Sequence, residues 1–215
     1  MFTLEAIGRG DRKAFFAKYA ADIKTSVDEQ PDGSIRIRMT VGSDDTAHPG
    51  NNPYLSSHLA DALRIGCKLM RCPRVGGVQN PDLRKEWLAA NRPNLQEQVD
   101  LFAAVGRQIE SRGAGIASVK AIGARYASPD ETWTKGLGHA PLTDDSVIAR
   151  AVAEWADGDS VSAHVAYGND FFCTRDVARS SGGNSVFSEP LRTWLSHEHG
   201  VRFMTPKELA AVISP

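Results

Sequence analysis

Cysteine is scarce and poorly placed for metal. Cys67, Cys72 and Cys173 are the chain's three, no two of them form a CxxC pair, and an odd number cannot close fully into disulfides. Zinc sites of the finger or ribbon type are thereby excluded, and reduced, buried thiols in a cytoplasmic protein are expected. Long hydrophobic runs are also missing. The N-terminal MFTLEAIGRGDRK has no uninterrupted apolar stretch of a signal peptide. Nowhere do about 18 apolar residues stand in a row, so no membrane span is expected. There is no basic excess: a formal charge of -1 excludes an overall cationic nucleic-acid coat and leaves room only for local patches. Internal repeats and low-complexity segments are absent.

What is present suits one sizeable core: 215 residues, 41% of them hydrophobic. The turn residues Gln30-Pro31-Asp32-Gly33 separate two units. Before them Arg12 to Ile23 reads as a short helix with Phe15, Phe16, Tyr19 and Ile23 near one face; after them Ser34 to Val41 alternates as a half-buried strand does. A helix is expected from Pro53 to a glycine cap at Gly66, then a short strand from Cys67 to Cys72, then a long helix from Leu95 to Ile109. Residues 115–126 fit helix or strand equally. Thr143 is placed to cap a helix running to Trp155, and the next helix starts near Asp159 and stops at Gly168-Asn169. A strand from Asp170 to Thr174 follows. Gly200 breaks a later helix, Val201 to Met204 makes the last strand, and Thr205-Pro206-Lys207-Glu208 is a capping box with proline at the first helical position. Helices alternating with short strands predict a three-layer α/β/α fold with a mostly parallel central sheet over residues 34–215, preceded by an N-terminal extension, residues 1–33.

In such a sheet the carboxyl ends of the strands form the ligand edge. The helix from Asp159 to Tyr167 rises about 13 Å and the strand from Asp170 travels back a similar distance, so Asp159 and Asp176 are expected at one edge. Asp44 and Asp45 follow the first strand and belong to that edge too. Each acid alone is more often structural, since helix first turns and strand ends both favour Asp. Converging carboxylates without cations raise one another's pKa, and a divalent ion relieves the repulsion; oxygen-only ligands select Mg²⁺ or Mn²⁺.

The run from Asp159 to Asp176 resembles the C-terminal half of a PIN domain: an acid opening a small-residue helix, Gly and Asp before a strand, and a strand ending in Thr-x-Asp. Gly200 to Leu209 is similar to that family's last strand and helix. The nearest equivalent of the family's opening acid is Asp45-Thr46, with Asp44 as competitor, and Asp82 and Glu86 are the nearest equivalents of its Glu. The resemblance implies a Mg²⁺- or Mn²⁺-dependent ribonuclease in which Asp44 or Asp45, Asp159 and Asp176 hold metal while an activated water attacks phosphate. Thr174 would help position the last acid. RNA is the implied partner, and the family admits an inhibitory protein partner or a homodimer. The alternative is a catalytically inactive module that binds RNA or protein.

Two further patterns stand outside that reading. Arg179 to Ser185 is rich in glycine and hydroxyls but has no Walker ending; Arg175 and Arg179 are placed to touch substrate phosphate. His197 and His199 lie two apart, which sends them to different sides of a helix, unlike zinc-binding pairs, and a solvated helix end is expected. Gly76-Gly77 and the Trp133 region carry no motif.

Overall fold

The computed structural model describes residues 8, 10–14, 22–30, 33–42, 53–70, 84–178 and 184–213. Its first ordered unit is a hairpin, β1 (Asp22–Glu29) paired antiparallel with β2 (Ile35–Gly42), with Thr25 opposite Met39 and Val27 opposite Ile37. The Gln30 carbonyl accepts from the Gly33 amide at 2.9 Å, and Gln30 N donates to the Ser34 carbonyl at 2.8 Å, which closes the turn. The strand expected at Ser34–Val41 is therefore present, as Ile35–Gly42, but its neighbour is the segment immediately before it. Arg12 to Ile23 does not form one helix: residues 12–14 are helical, Ile23 lies in β1, and residues 15–21 fall outside the described set.

Helix α1 (Pro53–Arg64) follows, and beyond it the strand expected at Cys67–Cys72 is reduced, within the described residues, to one parallel bridge between Leu69 and Leu88. Helix α2 (Leu95–Ser111) starts where Asn94 accepts the Glu97 amide on its side chain at 3.2 Å. Its buried positions, Gln98, Phe102, Val105 and Ile109, recur every three or four residues, the spacing of one helix face. The ambiguous stretch at 115–126 is α3 (Ala117–Tyr126), and the Trp133 region is α4 (Trp133–His139). These two meet backbone to backbone. A Cβ on Gly123 would stand 2.1 Å from the Trp133 carbonyl oxygen, and one on Gly136 would stand 2.0 Å from the Gly123 oxygen.

The central element is α5 (Asp145–Tyr167), 23 residues and about 34 Å long. It replaces the two helices expected to meet between Trp155 and Asp159. Residues 142–144 form a single tight turn ahead of it, so Thr143 does not cap it. Gly158 does not break the helix, because the space a side chain would fill is taken by Gly115, whose Cα would lie 3.0 Å from a Gly158 Cβ. The amino half of α5 packs Ile148, Val152 and Trp155 against Val119, Ile122 and Leu137; its carboxyl half packs Val161 with Val105, Ile109, Val186 and Leu195. Gly168, at φ 70°, ends α5, and Arg92 donates to the Val165 carbonyl at 3.1 Å, putting a cation at the helix's negative end.

After Gly168 come β3 (Phe172–Cys173), α6 (Glu189–His199), β4 (Phe203–Met204) and α7 (Pro206–Ile213). β3 and β4 pair in parallel, Phe172 opposite Phe203. The capping box is as expected: Glu208 N donates to Thr205 Oγ1 at 3.3 Å and Thr205 N to Glu208 Oε2 at 2.7 Å.

The three-layer α/β/α fold with a mostly parallel central sheet is not what the chain adopts. Among the described residues strands form two separate two-stranded sheets, and helices make up the rest of the ordered structure. The core is helix on helix, with α5 as its axis. Expected buried thiols are also corrected: Cys67 and Cys173 are free and exposed. No described helix is long and apolar enough to cross a membrane.

Candidate active site

Asp159 sits two-thirds of the way along α5 at 3% exposure, flanked by the small residues Gly158 and Ser160. Small side chains are what this segment needs, because the loop at Gly115 lies directly on the helix at Gly158. Ser160 and Ser162 turn their hydroxyls back to the Ala156 and Gly158 carbonyls, each at 2.8 Å, and so bury without leaving a donor unmet. A carboxylate as deep as Asp159 requires compensation, which hydrogen bonds or a cation supplies.

Asp176 lies just beyond β3. Phe172 N donates to the Arg202 carbonyl and Thr174 N to the Met204 carbonyl, both at 2.9 Å, so β4 fixes the chain up to Thr174. Thr174 Oγ1 then accepts the Asp176 amide at 3.0 Å, and Asp176 Oδ1 accepts the Ala178 amide at 2.7 Å. Ala178, at φ 56°, is a non-glycine residue in the left-handed region, held there by this turn. The Asp176 side chain is exposed, as is Arg175. Neither is in an ion pair among the described residues.

Glu154, one turn and a half before Asp159 on α5, feels the Asp176 charge. Burial pushes the Glu154 carboxyl above the usual carboxylate range; donors from Val186, Ser185 and Gly115 oppose the shift, and the Asp176 charge adds to it. Glu154 Oε1 accepts the Val186 amide at 2.6 Å and the Gly115 amide at 3.3 Å. One carboxylate thus ties two loops, at 113–116 and 184–188, to the central helix. Sequence reasoning missed it. The only available signal was an acid just off the inward stripe of Ile148, Val152 and Trp155.

Asp44, Asp45, Asp82 and Arg179 lie outside the described residues. Glu86 does not replace the missing family acid within that set: it is exposed and pairs with Arg84 at 3.4 Å. His197 and His199 diverge as expected, His197 toward Glu198 at 2.9 Å and His199 toward Gln108 at 3.0 Å. His164, near the end of α5, is buried edge-on to Phe172 at 5.4 Å; burial lowers its pKa, with Asp170 opposing.

The acids described at this candidate site are Glu154 and Asp159 on α5 and Asp176 after β3, and the Asp176 charge is the least of the causes acting on Glu154. Among the described residues, however, no three His, Cys, Asp or Glu side chains gather into a metal-holding group. No family model, curated protein or solved structure matches the chain.

Proposed function

We propose that the protein is a Mg²⁺- or Mn²⁺-dependent ribonuclease acting in the cytoplasm, with RNA as its partner. The observation that carries this reading is the burial of Asp159 in α5, the helix whose Glu154 also feels the Asp176 charge. The resemblance of residues 159–176 and 200–209 to PIN domains supports it through those residues alone, since the three-layer fold is not found here.

In this reading Asp159, Asp176 and one of Asp44 and Asp45 hold the ion. A divalent ion supplies the Lewis-acid chemistry that lowers the pKa of a water and neutralises charge developing on a phosphodiester. Thr174 sets the Asp176 backbone, and Glu154 is a positioning residue, since its carboxylate is committed to the Val186 and Gly115 amides. Arg175 lies one residue from Asp176, exposed and available to a phosphate.

Mn²⁺-dependent cleavage of a mixed RNA pool tests the proposal. Asp176→Asn is expected to cut at least about a hundredfold more slowly than wild type, a loss of about 2.7 kcal/mol in barrier lowering. Equal rates, or no cleavage by either protein across a wide metal range, would leave the second reading, an inactive RNA-binding or protein-interaction module. The commitment of Glu154 to backbone amides favours that reading.

A further inference from the structure

A groove of about 610 Å³ has Val177, the residue after Asp176, in its wall. One side is the face of α6 that carries Arg192, Thr193 and Ser196; the other is the β4 strand with Arg202 and Phe203. Two guanidiniums therefore line one cleft. Arg192 stands over the Phe203 ring at 4.8 Å and Arg202 over the Phe171 ring at 4.2 Å. Stacking on a ring fixes a planar guanidinium while leaving its N–H edge free to donate.

Neither arginine is in an ion pair among the described residues. The groove does contain one acid, Glu189, at the opening of α6. Arg192 also acts on Glu208, whose carboxylate is occupied by the Thr205 amide and hydroxyl. The arginines thus outnumber the acid in the groove, and the Thr193 hydroxyl accompanies them, whereas Ser196 Oγ donates to the Val201 carbonyl at 2.8 Å. That chemistry matches the sugar-phosphate backbone of a single strand, where guanidinium forks bind phosphate and hydroxyls add neutral hydrogen bonds.

We propose that this groove binds single-stranded nucleic acid through Arg192 and Arg202, with the strand leading toward Asp176. That the strand is also the substrate rests on the ribonuclease reading; the binding itself does not. The groove recognises phosphodiester rather than base, so sequence preference at these two contacts is weak.

Fluorescence anisotropy of the full chain with labelled oligo-U and oligo-dT, in EDTA so that no cleavage interferes, measures the groove alone. Arg192→Gln/Arg202→Gln is expected to weaken binding about tenfold or more. Losing two phosphate contacts also flattens the salt slope by about 1.4 between about 50 and 200 mM salt. Arg192→Lys/Arg202→Lys keeps the charge and the slope. The two oligonucleotides separate RNA from DNA. Arg202→Glu alone, at an exposed position, gives the same direction of change if the double glutamine variant does not fold. Wild type that fails to bind either strand, or arginine variants with unchanged affinity and slope, would overturn the proposal. Binding that depends on the arginines without any Mn²⁺-dependent cleavage removes the nuclease and keeps the groove. Cleavage that survives arginine variants with intact affinity removes the groove and keeps the nuclease.

Discussion

Glu154 concentrates the residue-scale argument, because one half-buried carboxylate satisfies two backbone amides from segments 39 and 32 residues away. Glu154→Ala strands both donors and is expected to cost about 2–3 kcal/mol, read as a fall of roughly 5–10 °C in Tm. Glu154→Gln keeps an acceptor oxygen in place and separates hydrogen bonding from charge. Since the folded carboxyl is raised above its unfolded value, the neutral form is favoured in the fold. Its contribution is fully present below the unfolded pKa and is lost as pH rises through the folded one. The glutamine variant should therefore gain on wild type as pH rises from about 4 to about 8. Thermal melts with a pH-independent difference would contradict that account. None of this was legible in the sequence, where Glu154 reads as an ordinary acid off the apolar stripe; its partners are amides, and amides carry no sequence signature.

Local chemistry was the readable part of the elements. The capping box at Thr205 and Glu208, the stop at Gly168 and the stop at Gly200 are decided within a few residues, and all three stand. What failed was anything decided by a distant partner. Asp157, Gly158 and Asp159 look like a helix break, yet α5 runs through them because the Gly115 loop lies against Gly158. The alternation in residues 34–41 is a true strand, but its partner is β1, whose first two residues, Asp22 and Ile23, fall in the helix expected from Arg12. The crossing of α3 and α4 is another such contact and makes a strong prediction. Alanine in place of a helical glycine ordinarily gains up to about 1 kcal/mol. At Gly123 the added methyl would lie 2.1 Å from a backbone oxygen, which no rotamer change relieves. Gly123→Ala is therefore expected to destabilise by about 3 kcal/mol or more, measured by chemical denaturation. An unchanged or raised midpoint would show that α4 can move off α3 freely.

At the scale of the molecule, an alternation of helices and strands implies a layered parallel sheet only if the strands meet one another. Here β2 is satisfied by β1 and β3 by β4, so the helices bury their faces on each other instead. The hydrophobic clusters assembled from described residues all lie between Leu101 and Phe203. A two-stranded hairpin has marginal stability by itself. The N-terminal segments contribute polar ties: Arg12 donates to the Ala149 carbonyl at 2.7 Å, Lys13 pairs with Asp145 at 3.5 Å, and Leu69 bridges Leu88. A fragment beginning at Arg84 should consequently fold alone. Losing those ties costs about 1–3 kcal/mol, at about 1 kcal/mol per net hydrogen bond. The fragment is expected to retain helical circular dichroism and a cooperative melt, several degrees below that of the full chain. Arg12→Ala in the full chain should account for part of the same shift, since that guanidinium is buried against the first turns of α5. A fragment that melts without cooperativity would mean that residues before Arg84 complete the core, and α5 could no longer be regarded as an axis that its own neighbours suffice to cover.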